Sequence, residues 1–250
     1  MSPTDLWSLA ALFTVGLAAG TINVVAGGGS FITLPVLIFL GLPASDANGT
    51  NRVGVLAQNI AGVWGFHRSS AMPWRWGLAV SVPAILGAGL GAWLALQMTD
   101  FGFRRLLSVA MLAMTLWTVA RPPATGGHKE VTSPWHPAVV LAFFAIGVYG
   151  GLIQAGIGFA VLAATSLAGL DLVKGNAVKL LAVLLLTVLS LAIFISGGAV
   201  RWSFGLALAA GNVLGALVGV RLAVTQGHRW VQRVVTTTVV LFAILLWFDL

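Results

Sequence analysis

The stretch AGGGSFITLP, Ala26 to Pro35, decides how this chain is read. Three glycines and a serine separate two runs so apolar that both read as helices inside a bilayer. Glycine costs a helix about 1 kcal/mol relative to alanine, and hydrocarbon punishes unpaired backbone amides more heavily still. A break at this point is tolerable only where the freed backbone faces protein or lines a cavity.

The surrounding composition supports the membrane reading. Of 250 residues, 59% are hydrophobic and only 8% charged, against about 25% charged in a soluble domain. The mean hydropathy is +1.01. Eight runs are long enough to cross a hydrocarbon core that needs about 20 apolar residues, near 6–26, 48–66, 77–97, 103–120, 137–155, 175–196, 203–224 and 230–248. Two shorter runs, near 31–40 and 159–169, follow the first and the fifth and span only about half the core. The net charge of +7 is spread over the loops, which suits anionic lipid headgroups and a positive-inside bias rather than nucleic acid. With no cysteine, disulfides, thiolate metal sites and cysteine nucleophiles are excluded. The opening MSPTD, Met1 to Asp5, lacks a basic n-region, so the first run is expected to be a retained helix.

The chain also repeats itself. A slide of 128 residues lays Phe31 on Phe159, Gly41 on Gly169, Asn48 on Asn176, Trp74 on Trp202, Gly87 on Gly215 and Gly91 on Gly219. The stretches GAGLG (Gly87 to Gly91) and GALVG (Gly215 to Gly219) are small-xxx-small patterns that let helices approach closely. The expected fold is an all-α polytopic membrane protein with two internal repeats, each of four long transmembrane helices plus one half-length broken or re-entrant helix. The first repeat covers 1–120, a polar linker 121–136, and the second repeat 137–250. Whether the halves run parallel or inverted depends on whether the short runs add a fifth crossing, and the distribution of Lys and Arg does not decide it.

Each half carries the same succession of features. The first has Asn23, then Gly27, Gly28, Gly29 and Ser30, then Asn48, Thr50, Asn51 and Arg52. The second has Gln154, Gly156 and Gly158, then Asn176 and Lys179. A glycine-rich break before a half-length helix leaves that helix's first amides without intrahelical partners. Their dipoles sum to about +0.5 of a charge, suited to an anion, and broken helices build transporter sites in this way. These fourteen residues are the candidate substrate-binding set. The plainer alternatives are close packing for the glycines, N-capping for Asn48 and Asn176, and snorkelling to the interface for Arg52 and Lys179.

Asp5, Asp46, Asp100, Glu130, Asp171 and Asp249 all fall near segment ends or in loops, so no acid sits mid-helix as a proton relay requires. No His-Glu-x-x-His, Gly-x-Ser-x-Gly or phosphate-binding glycine loop is present. The expectation is a non-enzyme, with no catalytic residues, metal or cofactor.

Gly20, the stretch Ala26 to Pro35 and GLPASDANGTN (Gly41 to Asn51) together resemble the sulfite exporter TauE/SafE family of bacterial membrane proteins. GLIQAGIGF (Gly151 to Phe159) and GNAVK (Gly175 to Lys179) share the resemblance, which covers essentially the whole chain. It implies transport of sulfur-containing anions such as sulfite, sulfoacetate and other sulfonates. One departure is that the second short run lacks a proline near its end. The expected protein is a multi-pass secondary transporter of the bacterial inner membrane, exporting a small anion bound where the two breaks face each other near the midplane. Its partners are the anion and the bilayer, with self-association left open. The alternatives are an anion channel and a non-transporting scaffold.

Overall fold

The computed structural model describes residues 3–25, 27–120 and 131–225. Among these, all regular structure is helical: α1 (Pro3–Val25), α2 (Ser30–Phe39), α3 (Ala44–Arg68), α4 (Trp74–Gln97), α5 (Asp100–Ala120), α6 (Pro137–Leu152), α7 (Ile157–Leu167), α8 (Leu172–Ser196) and α9 (Trp202–Thr225). Seven of the eight expected long runs coincide with helices, and both short runs coincide with α2 and α7. The eighth run, 230–248, lies outside the described residues, as does most of the linker.

Among the described residues, four helices are long and apolar enough to cross a membrane by length and composition: Leu6–Val25, Trp74–Gln97, Leu172–Ser196 and Trp202–Leu222. The others depart for visible reasons. α3 buries Asn48, Thr50, Asn51, Arg52, Gln58 and Asn59 against protein, so its polarity is turned away from lipid. The run expected to continue to residue 155 stops as helix at Leu152, because the chain turns there into the second break.

Lipid supplies no hydrophobic drive between helices, so association rests on close packing and internal hydrogen bonds. Glycine makes that packing possible. α1 lies along α9, and α4 lies along α6, as the two most extensive pairings. Cβ atoms added at Gly87 and Gly91 would fall 2.2 Å from the Phe144 carbonyl oxygen and 2.0 Å from that of Val148. At Gly211 and Gly215 they would fall 2.0 Å and 2.1 Å from the carbonyls of Phe13 and Leu17. Backbone touches backbone at both crossings. Between them α3 and α8 pack on each other and on the two α9 and α4 walls. Apolar clusters fill the flanks, one around Phe31, Leu34, Leu37, Phe103 and Leu107, the other around Val80, Phe143, Val161, Val178 and Leu186.

Candidate functional site

The two short helices begin where the chain turns back inside the protein. At the first break Gly27 has φ +91°, a conformation that side chains rarely adopt, and its N–H donates to the Ile22 carbonyl at 3.2 Å. At the second break Gln154 has φ +65° and Gly156 has φ +72°. A left-handed non-glycine costs about 1–2 kcal/mol. Gln154 is held there by its Nε2, which donates to Thr187 Oγ1 at 2.7 Å, and by the Tyr149 hydroxyl, which donates to the neighbouring Ala155 carbonyl. The N-caps of α2 and α7 are Gly29 and Gly156. Neither has a capping side chain, and backbone carbonyls take the opening amides instead: Phe31 and Ile32 donate to Gly28 and Gly29, and Ile157 and Phe159 donate to Gln154 and Gly156.

The two breaks touch. A Cβ on Gly27 would lie 2.6 Å from Gly158 Cα, and one on Gly158 would lie 2.4 Å from Gly27 Cα. Gly156 is filled over by Phe31, whose ring Cζ would be 2.2 Å from an added Cβ. Phe31 and Phe159 stack with centroids 6.4 Å apart.

Each break is tied to a cation from the opposite half. Lys179 of α8, 2% exposed, donates from Nζ to the carbonyls of Asn23 and Val24, both at 2.9 Å, and to Asn176 Oδ1 at 2.8 Å. Arg52 of α3, fully buried, donates to the Gly150 carbonyl at 3.1 Å, to Ser190 Oγ at 2.8 Å, to Asn48 Oδ1 at 3.4 Å and to the Gly151 carbonyl. Its guanidinium carbon stands 4.6 Å from the centroid of Phe194. Helix C-termini carry orphan carbonyls and about −0.5 of a charge, so each cation closes the end of α1 or α6. Snorkelling is therefore overturned for both, since their side chains run inward to carbonyls rather than outward to headgroups.

A small cavity of about 10 Å³ lies where these parts converge, about the room that one water needs. Asn23, Ser30, Asn59, Gln154, Gly158 and Lys179 supply its polar edge, and Val55, Ile157, Leu180 and Val183 its apolar one. Asn51 stands behind it, donating from Nδ2 to Ser30 Oγ at 3.2 Å and accepting from Thr33 Oγ1 at 2.6 Å. Gln154 is 1% exposed, and its Oε1 has no hydrogen-bond partner among the described residues.

Five of the expected residues thus share the cavity wall: Asn23, Ser30, Gln154, Gly158 and Lys179. Gly27 abuts Gly158, and Asn51 and Asn176 orient wall residues. Gly28 adjoins Gly27, while Gly29 packs on α1 with an added Cβ 2.2 Å from the Ala19 carbonyl. Asn48 and Arg52 serve the end of α6 instead, with Asn48 Nδ2 donating to the Leu152 carbonyl at 2.8 Å. Thr50 Oγ1 accepts from the Arg201 amide at 2.9 Å. N-capping by Asn48 and Asn176 is overturned, because α3 and α8 start a turn earlier, after the N-caps Pro43 and Asp171. Sequence reasoning missed Asn59 and Thr187. Asn59 was signalled by periodicity, since Asn51, Val55 and Asn59 recur every four residues on one helix face. Nothing local marks Thr187.

A family model described as sulfite exporter TauE/SafE matches residues 12–246. A probable membrane transporter protein of Haemophilus influenzae is 30% identical over 229 residues, covering 91% of this chain and 89% of that one. A second, the probable membrane transporter protein ORF9 of a Sinorhizobium species, is 30% identical over 96% of this chain and 93% of its own. The probable membrane transporter protein YfcA of Escherichia coli K12 is 27% identical over 91% and 85%. No solved structure matches the chain.

Proposed function

The chain belongs to the sulfite exporter TauE/SafE family, a family of membrane transporters, and on that premise we propose that it exports a small anion of the sulfite or sulfonate class across the bacterial inner membrane. The observation that carries the reading is the cavity wall. Two glycine-capped helix N-termini, one buried ammonium and several neutral amide and hydroxyl groups converge there. The summed peptide dipoles at helix N-termini favour negative charge. No Asp or Glu is among the buried residues described, so no fixed anion competes for the place.

The cavity of about 10 Å³ is smaller than a sulfo group, so admitting substrate requires the chain's two halves to part at the Gly27–Gly158 contact. The repeat of about 128 residues belongs to the same reading. It is supported by the helix pairings, since the slide exchanges the α1–α9 pair for the α6–α4 pair. Export has a driving force without a coupled cation: a membrane negative inside drives each exported negative charge by about 2.3 kcal/mol per 100 mV.

The test is flux of labelled sulfite or sulfoacetate from proteoliposomes under an imposed potential. A carrier shows saturable, potential-dependent flux with counterflow. Flux that neither saturates nor shows counterflow replaces the carrier with a channel, and no flux with any of the anions leaves the scaffold reading standing. The chain has no cysteine, so a Ser30→Cys variant offers one labelling position at the cavity. Sulfoacetate is expected to slow its modification by a water-soluble thiol reagent.

A further inference from the structure

An ammonium has three donors, and Lys179 uses all of them on neutral acceptors: two carbonyls at the end of α1 and the amide oxygen of Asn176. Its charge is 2% exposed and meets no buried carboxylate among the described residues. Burying a charge without an opposite one is costly, and hydrogen bonds to dipoles offset only part of that cost. Arg52 makes the contrast. It is equally buried and its Nε is unpartnered among the described residues, but its two terminal nitrogens are spread over two carbonyls, Asn48 and Ser190, with the Phe194 ring beneath. Arg52 does not reach the cavity, whereas Lys179 lines it.

We propose that Lys179 is the charge partner of the transported anion, which takes at least one ammonium donor from the carbonyl end of α1. The inference rests on the export reading above and goes beyond it by assigning one residue and one exchange of partners. An anion is a stronger acceptor than a carbonyl or an amide oxygen, so the exchange favours the bound state without any new cation. Gln154 provides a second, independent sign that the wall is incomplete without a ligand. Its buried Oε1 lacks a partner among the described residues, yet a half-turn of the amide would let Oε1 accept from Thr187 while the NH2 group faces the anion.

The exchange has a mechanical consequence. The carbonyls given up belong to Asn23 and Val24, at the end of α1 and immediately before the first break. Binding therefore loosens the link between that break and α8 at the moment the site fills. A ligand can shift a conformational equilibrium only by interacting differently with the two states, and this transfer of donors is such a difference.

The experiment uses the full chain in proteoliposomes, with sulfite as the probe, and thermal unfolding in detergent as the fold control. Lys179→Gln is expected to raise the half-saturating sulfite concentration about tenfold or more, the loss of one charge-assisted hydrogen bond. Lys179→Arg, which keeps the charge, retains saturable flux. Asn176→Ala frees a donor without touching the cavity wall, and so is expected to lower the half-saturating concentration several-fold. A merely structural Lys179 predicts the opposite for Asn176→Ala, a looser site with weaker binding. If Lys179→Gln does not fold, the direction of the Asn176→Ala change decides alone. Saturable wild-type flux with an unmoved Lys179→Gln half-saturation, or with a raised one in Asn176→Ala, overturns the assignment and leaves the export reading intact. No saturable wild-type flux overturns both.

Discussion

The two breaks solve one problem with different chemistry. At the first, one left-handed glycine, Gly27, carries the turn, and a lysine closes the preceding helix. At the second, a strained glutamine and a single left-handed glycine carry it, and an arginine closes the helix. Arginine presents a rigid fork of five donors, and four bonds plus an aromatic face fix it. Lysine is a point charge on a flexible stem, and it borders the cavity. The difference teaches that two similar breaks can be closed in different ways: the α6 end is clamped by a fork, while the α1 end is held by a point charge that borders the cavity.

The sharpest way to break the comparison is to force the breaks apart. Gly158→Leu puts a side chain where even a Cβ would be 2.4 Å from Gly27 Cα, and backbone cannot yield as a side-chain tip can. Loss of monodisperse protein in size-exclusion chromatography is expected. Gly89→Ala, whose Cβ would meet only Leu189 Cδ2 at 3.3 Å, is expected to behave as wild type.

Next in size is Arg52→Met. It orphans the Gly150 and Gly151 carbonyls, each at about 1–3 kcal/mol, so thermal unfolding in detergent should shift well below wild type. Arg52→Lys should recover only part, because a point charge cannot hold four acceptors arranged for a fork. A variant as stable as wild type would show that the α6 end needs no clamp.

Asn51→Ala removes the bonds to Ser30 and Thr33, a loss of about 1–2 kcal/mol. The expected outcome is folded protein with reduced sulfite flux, since Ser30 loses its orientation at the cavity. Unchanged flux would separate Asn51 from the site.

The smallest effect concerns how α3 and α8 begin. A slide of 128 residues lays Pro43 on Asp171, yet only α8 is capped by its own side chain, with the Lys174 amide donating to Asp171 Oδ1 at 2.9 Å. α3 instead borrows Asp100 from α5, whose carboxylate accepts from the Ala44 amide and pairs with Arg104 at 2.7 Å. Asp171→Ala should cost about 1 kcal/mol. Partial burial raises the Asp171 carboxyl, but the amides of Lys174 and Val173 and the Lys174 ammonium outweigh it and hold it below the usual carboxylate range. The cap's contribution is therefore present above the unfolded-state carboxylate pKa and is lost as pH falls through the depressed folded value. Thermal unfolding of wild type against Asp171→Ala across that acidic range checks the sign: the gap should close as pH falls.

Much of this arrangement was legible along the chain because it depends on local rules. Hydropathy and length located the helices, and glycine density located both breaks. The candidate site was legible as a set of segments and less so as a set of roles. Asn48 and Arg52 belong to the α6 end rather than to the cavity wall. The slide itself hid the relation between the cations, since it lays Lys179 on Asn51 and Arg52 on Leu180. Two residues with analogous duties sit one position out of register, which alignment by position cannot reveal.

What the sequence determined by itself is the all-helical membrane chain, the two half-length helices and the glycine crossings, because periodicity, length and the missing Cβ are properties of neighbouring residues. What only the tertiary structure decided is which donor meets which acceptor. Lys179 reaches carbonyls more than 150 positions away, Gln154 finds Thr187, and Gly27 finds Gly158. A hydrogen bond acts over about 3 Å, and in a folded chain that distance is set by how helices cross rather than by how residues follow one another.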